Sequence, residues 1–346
     1  MCDEFTERDN EKKLAEKRLG RREFGVGVGA TAAVVMIAGC DDGEDDPAEP
    51  DAGGATSGKG AAGGKGGAGG ASGKGGASGA SGASGKAGAA GDNSDDAGIN
   101  DAVTSSTVEI ETPDGKLDAF FVHPTTGKHP AVIVWPDILG LREGFETMGT
   151  RLAADGFAVV VLNQYYRSAK APVFQSWADW QTPDGMAKTT EWRMALTPEA
   201  ITRDGAAVVE WLDKQSVVDT GKKIGSSGYC MGGPFTIRTA ASSPERVGAA
   251  ASFHGGGLVT TAENSPHKLF ADIEAALLIA IAQNDDARAP EEKTTLKEAA
   301  DAAGLEAEVE VYQADHGWCA IDSAAFDEED ANKAYDRMVA IFKKAL

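Results

Sequence analysis

Between Lys223 and Gly233 a short apolar segment runs into a glycine-rich turn, with Gly228, Cys230 and Gly232 spaced as G-x-C-x-G. The spacing predicts a strand, a sharp turn and the opening of a helix. A turn that tight holds its middle residue in a strained backbone conformation and tolerates no bulk on either flank. In such a nucleophile elbow the Cys230 sulfur stands at a helix N-terminus, with the N–H of Met231 aimed at an oxyanion developing beside it. Alone, the pattern also fits a buried cysteine acting as a small hydrophobe, the commoner role of that residue. The rest of the chain must decide between the two.

The 346 residues fall into three stretches of different composition. Residues 1–40 carry Arg21-Arg22-Glu23-Phe24, a weakly apolar run and Ile37-Ala38-Gly39-Cys40. They resemble a twin-arginine export signal ending in a bacterial lipobox, in which Cys40 becomes an acylated mature N-terminus. The apolar run is Gly-interrupted and short of the roughly 20 residues that a membrane-spanning helix needs. The expectation is therefore a lipoprotein exported to the periplasmic side and held at the membrane through Cys40, since several acyl chains make a stable anchor. Residues 41–98 are dominated by Gly, Ala, Ser and Lys without apolar periodicity, a composition expected to stay unfolded as a tether. Its r.m.s. reach is about 40 Å. Residues 99–346 have globular composition, enough for one α/β domain.

A formal net charge of −21 argues against nucleic acid as a partner. Four cysteines, of which only Cys230 and Cys319 fall in the globular stretch, exclude a disulfide scaffold. There is no metal-spaced His/Cys cluster and no phosphate-cradling loop, so the chemistry is expected to need neither metal nor nucleotide cofactor.

Within 99–346, residues 107–111 and 117–122 alternate around Pro113-Asp114-Gly115 as a hairpin. Continuous apolar runs at 131–135, 157–162, 247–253 and 276–282 read as strands buried on both faces. Helical patterns lie at 143–155, 197–214 (Thr197 as N-cap, Pro198 at N1), 290–303 and 331–344, and a last strand at 307–312. Residues 165–197, with Trp177, Trp180 and Trp192, read as a long irregular excursion that could cap a pocket. The pattern predicts a doubly wound, mostly parallel sheet of about eight strands with helices on both faces, its functional loops at the strand C-terminal ends.

Three chemical signals follow one another in chain order: Cys230 after one strand, Asp285-Asp286 after a later one, and His316 after the last. Nucleophile, acid, histidine is an order found in catalytic triads on such sheets. Together with Asp137-Ile138-Leu139-Gly140-Leu141, Gly228-Tyr229-Cys230-Met231-Gly232-Gly233, Asn284-Asp285 and His316-Gly317-Trp318, it makes residues 99–346 resemble the dienelactone hydrolase family of α/β hydrolases. The resemblance implies an α/β-hydrolase fold and a Cys-His-Asp triad that cleaves a small ester or lactone through a thioester acyl-enzyme. Cys230 is then the nucleophile, His316 the general base and Asp285 the acid that best matches the family position, with Asp286 and Asp315 as alternatives. The oxyanion hole combines the N–H groups of Ile138 and Met231.

A helix N-terminus supplies about 0.3–1 kcal/mol, less than the roughly 1.4 kcal/mol of one pKa unit. Thiol activation therefore needs a base as well. The resemblance places Asp137 as the resting partner of the thiol, where the family has a longer Glu. Tyr229, His254, Trp318 and Arg167 are expected to line the substrate pocket, with Arg193 as another lid-region candidate for a substrate carboxylate. The His254-Gly255-Gly256-Gly257 run follows the nucleophile, so it does not read as an oxyanion motif of the lipase kind. Cys319 is read as packing beneath its loop, with a Cys230–Cys319 disulfide as the alternative. A tethered small-molecule binding protein without turnover is the rival reading of the whole chain.

Overall fold

A computed structural model describes residues 102–346; the export signal, Cys40 and the tether of the sequence reading lie outside the described residues. The chain opens with a hairpin of β1 (Val103–Thr112) and β2 (Gly115–Pro124), longer at both ends than the alternation alone predicts. Then come β3 (Ala131–Trp135), α1 (Glu143–Ala154) and β4 (Ala158–Leu162). The excursion at 165–197 is not irregular throughout: it holds α2 (Trp177–Trp180) and α3 (Pro183–Arg193). Ser176 and Thr182 cap these two helices, accepting from the N–H of Asp179 and of Gly185. A single four-residue turn and a helix as polar as Pro183–Arg193 carry no apolar period for a sequence reading to detect.

The chain continues through α4 (Pro198–Leu212), β5 (Ile224–Tyr229), α5 (Gly232–Ser242), β6 (Val247–Phe253) and β7 (Ala276–Ala282). Next are α6 (Gln283–Arg288), α7 (Glu292–Ala303), β8 (Ala307–Tyr312) and α8 (Glu328–Ala345). Thr197 caps α4 by accepting from the N–H of Ala200, with Pro198 in the first turn, as the sequence reading expects. The helix α6 begins directly at the end of β7, ahead of the helix that the sequence pattern starts at residue 290.

One eight-stranded sheet has the order β1-β2-β4-β3-β5-β6-β7-β8. The hairpin and its β2–β4 pairing are antiparallel, and every pairing from β4 to β8 is parallel. The strands from β3 to β8 thus all end on one edge. Strand order reverses where β5 returns to the far side of β3, so β3 and β5 lie side by side with Trp135 opposite Gly228. That reversal opens a crevice at the carboxyl ends of the two strands.

The apolar runs have the composition they do because both faces of the sheet are covered. Ala131, Ile133 and Trp135 of β3 pack on one face with α4, α5 and α7, through Ile201, Val208, Phe235, Ile237, Leu296 and Ala300. Val132 and Val134 point to the other, where Phe145 and Leu152 of α1 meet Met338 and Phe342 of α8. The fold is the α/β-hydrolase architecture expected from the sequence.

Candidate active site

The elbow forms as its spacing requires. Cys230 sits at φ 53, a left-handed value uncommon outside glycine. A Cβ on Gly228 would lie 1.9 Å from the carbonyl oxygen of Gly232, and one on Gly232 would lie 2.3 Å from that of Trp135. Only glycine permits either approach. The Cys230 N–H is held twice, by the carbonyl of Phe253 at 3.0 Å and by Nδ1 of His254 at 3.1 Å.

The first turn of α6, after β7, and the loop after β8 bring the acid and histidine together. His316 Nδ1 lies 2.7 Å from Asp285 Oδ2, and the His316 backbone N–H donates to the side-chain oxygen of Asn284 at 2.9 Å. The Gln283 N–H donates to the Ala314 carbonyl at 3.0 Å and its side chain to Asp315 at 3.0 Å, so the β7 and β8 ends are latched to each other. Of the three acids considered, Asp285 is the one that contacts His316. Asp286 gives both oxygens to Lys293, at 2.6 and 2.8 Å, and Asp315 serves Gln283.

The loop after β3 is braced through its carbonyls. Gln164 donates to the carbonyl of Asp137 at 2.7 Å, and the Tyr165 hydroxyl to that of Ile138 at 2.8 Å. The same hydroxyl lies 3.8 Å from the sulfur of Met231, tying this loop to the elbow. Asp137, expected as the partner of the thiol, is otherwise engaged. Arg142 reaches both of its oxygens at 2.7 and 2.9 Å, and the Leu139 N–H donates to one of them at 2.9 Å. Arg142 also binds Asp322 twice, at 2.6 and 2.8 Å. Burial alone would push the Arg142 guanidinium down, but the two carboxylates outweigh it and hold it above its ordinary value.

Four expected pocket residues are placed differently. Tyr229 lies on the opposite face from the cleft, stacked on Phe253 at 4.9 Å and edge-on to Phe145, because it precedes Cys230 on an alternating strand. Trp318 is fully buried, stacked on Tyr312, and backs the His254 ring at 5.0 Å. Arg167 is spent on Asp204 and Asp114. His254 is in the site but beneath it, with its ring 4.9 Å from that of His316. The open cleft, of about 450 Å³, is lined by Arg193, Met194, Leu196, Met231, Phe235 and Gly256. The Arg193 guanidinium has no ion-pair or hydrogen-bond partner among the described residues. Cys319 is a free, buried cysteine, so it is not joined to Cys230. Cys319 packs in the core on the far face of the sheet.

The sequence reading missed Arg142, Asp322, Gln164 and Tyr165. The last two stand immediately beyond a strand end, which is the one signal that pointed to them; Asp322 is distant in sequence from everything it touches. No group of three or more His, Cys, Asp or Glu among the described residues is placed to hold a metal ion.

His254 supplies a measurable signature. Burial drives its pKa well below the ordinary 6.5, with the nearby His316 adding to the effect. Since Nδ1 accepts from Cys230, the neutral ring carries its proton on Nε2, which has no hydrogen-bond partner among the described residues. The folded state thus resists protonation that the unfolded state accepts. Stability should fall as pH drops below about 6.5, by up to about 1.4 kcal/mol per unit from this group. Urea unfolding between pH 7.5 and 5 should show a shallower loss in His254→Asn, a residue that tolerates positive φ; equal slopes would refute the assignment.

Comparison with known proteins agrees with this architecture. A Salmonella typhi protein provisionally named a carboxymethylenebutenolidase is 25% identical over 248 residues, covering 70% of this chain and 87% of its own. An Escherichia coli K12 relative of the same name is 25% identical over 252 residues, covering 71% and 89%. Among solved structures, a protein described as a dienelactone hydrolase from Klebsiella pneumoniae superposes with a TM-score of 0.61 at 24% identity, over 70% of this chain and 99% of that one. A dienelactone hydrolase-like promiscuous phosphotriesterase from metagenomic libraries gives 0.55 at 21%, over 70% and 99%. The dienelactone hydrolase family model matches residues 117–346, and the chain belongs to that family of hydrolases.

Proposed function

We propose that this chain hydrolyses a small carboxylic ester or lactone through a Cys230-His316-Asp285 triad. The observation that carries the reading is the 2.7 Å His316–Asp285 contact, built on the same sheet edge as the Cys230 elbow. With Cys230 reduced, His316 takes the thiol proton and the sulfur attacks the ester carbonyl. The N–H groups of Met231 and Ile138 receive the oxyanion. His316 then protonates the leaving alcohol and activates the water that cleaves the thioester. Asp285 holds the imidazole in orientation and offsets its charge while it is protonated. Because Arg142 occupies Asp137, thiol activation falls to His316 and the helix terminus. A loss of about 10²–10⁴ in kcat/KM is expected for His316→Gln, which removes the general base. Activity should vanish in Cys230→Ala and change little in Asp286→Asn. The assay is short-chain ester and lactone turnover by reduced protein.

Arg193 gives the apolar cleft a cation that no neighbour among the described residues neutralises. Substrates carrying a second, anionic group are therefore favoured over neutral ones. Arg193→Gln should raise KM for an acidic ester about tenfold while leaving kcat and neutral esters unchanged; equal effects on both substrates would contradict this role.

A tethered binding protein remains the second reading, favoured by the capture of Asp137 by Arg142. Reduced protein with no turnover across esters and lactones would select it. We further infer that the domain acts outside the cytoplasm, anchored by acylation at Cys40, a reading supported by the lipobox-like Ile37-Ala38-Gly39-Cys40. Labelling of cells with a radioactive fatty acid should mark the protein, and Cys40→Ser should abolish the label.

A further inference from the structure

On the face of the sheet opposite the cleft, a second cavity of about 90 Å³ lies between α1 and α8. Its walls include Met148 and Leu152 of α1, Met338 of α8, and three residues from the ends of the catalytic strands and their loops: Tyr229, Phe253 and Cys319. Each of these three is chained to a residue of the active site. Tyr229 precedes Cys230. Phe253 precedes His254, and its carbonyl accepts the Cys230 N–H. Cys319 belongs to the loop that carries His316.

The polar groups at the rim are engaged elsewhere. The Arg151 guanidinium lies over the Tyr335 ring at 3.7 Å, and the Tyr335 hydroxyl donates to Asp155. Burial pushes the Cys319 thiol up, so it is protonated at neutral pH and presents an uncharged surface. With Thr147 and Asn332 as the other polar residues of the lining, what faces the interior is mostly apolar, and apolar cavities stay dry and take apolar guests, as one of about 150 Å³ takes benzene or xenon. Ile321, 40% exposed, marks an opening to solvent beside this interior.

We propose that this cavity is an effector site for a small, uncharged, apolar molecule of up to about the size of benzene, and that its occupancy alters the reactivity of Cys230. A guest there pushes on Tyr229 and Phe253, whose backbones set the position of the elbow. Well-packed interiors transmit such displacements because they have little slack to absorb them.

The test uses full-length, reduced protein with benzene and xenon as probes and needs no hydrolytic activity. Three quantities are followed against probe concentration: the thermal midpoint, the methyl NMR signals of Met148 and Met338 against those of Met194 and Met231, and the rate of Cys230 alkylation by iodoacetamide, read by peptide mass spectrometry. The proposal expects a saturable rise in midpoint, shifts confined to Met148 and Met338, and a change of at least threefold in Cys230 alkylation at the same half-saturating concentration. Cys319→Phe, which fills the cavity, should abolish all three where it folds; the measurements on the unaltered chain stand without it. Absence of saturable binding of either probe, shifts at Met194 and Met231 instead, or binding that leaves Cys230 alkylation unchanged would each overturn it. A chain that binds the probe and responds at Cys230 yet hydrolyses nothing would leave this site intact and count only against the catalytic reading.

Discussion

The backbone contact between Gly228 and Gly232 is the constraint on which the rest of the site depends. A strand that ends in the middle of a parallel sheet must turn sharply to open a helix over its own edge. With a carbonyl 1.9 Å from where a Cβ would sit, that turn closes only on glycine. Cys230 is forced to positive φ as a result. The strain, of order 1–3 kcal/mol for a non-glycine residue, is borne by the surrounding sheet and by the double grip on the Cys230 N–H. The strand order then does the remaining work. Because β5 lies between β3 and β6, the elbow faces the Ile138 loop on one side and His254 on the other, with Asp285 and His316 arriving from the next two strands.

Arg142 plays a comparable part for the loops. It joins Asp137, in the loop after β3, to Asp322, in the segment that follows His316. A guanidinium buried to this degree is costly unless its hydrogen bonds are met. Breaking such a pair from one side typically costs 3–5 kcal/mol. Here both carboxylates engage it bidentately, the geometry that suits Arg and would not suit Lys. The consequence is that both oxygens of Asp137 are committed to its own neighbour Arg142 and are not free to reach the elbow.

The two faces of the sheet divide the labour. The cleft, with Arg193, Met194 and Met231, lies over one core; Tyr229, Trp318 and Cys319 belong to the other. Residues adjacent in sequence were therefore separated in space. Tyr229 and Cys230 were read together from one motif, yet Tyr229 packs in the core on one face and Cys230 in the core on the other.

The order Cys230, Asp285, His316, the strands at 131–135, 247–253 and 276–282, and the cap at Thr197-Pro198 were all legible in the sequence, because each rests on local spacing or on burial that leaves a compositional mark. The choice of Asp285 over Asp286 rested on the family resemblance rather than on local spacing, and the structure brings Asp285 to His316 while Asp286 turns to Lys293. The sequence could not show that Arg167 answers Asp204 while Arg193 stands open in the cleft. Both are arginines of the same excursion, and the difference is set by where α4 crosses the hairpin, which brings Asp204 and Asp114 to Arg167. The same holds for Arg142 and Asp322, 180 positions apart and joined at 2.6 Å. The sequence alone determined the sheet, the elbow and the residue types of the site, which follow from backbone sterics and hydrophobic period. Only the tertiary structure decided which charges meet, because ion pairs form between side chains that no local pattern connects.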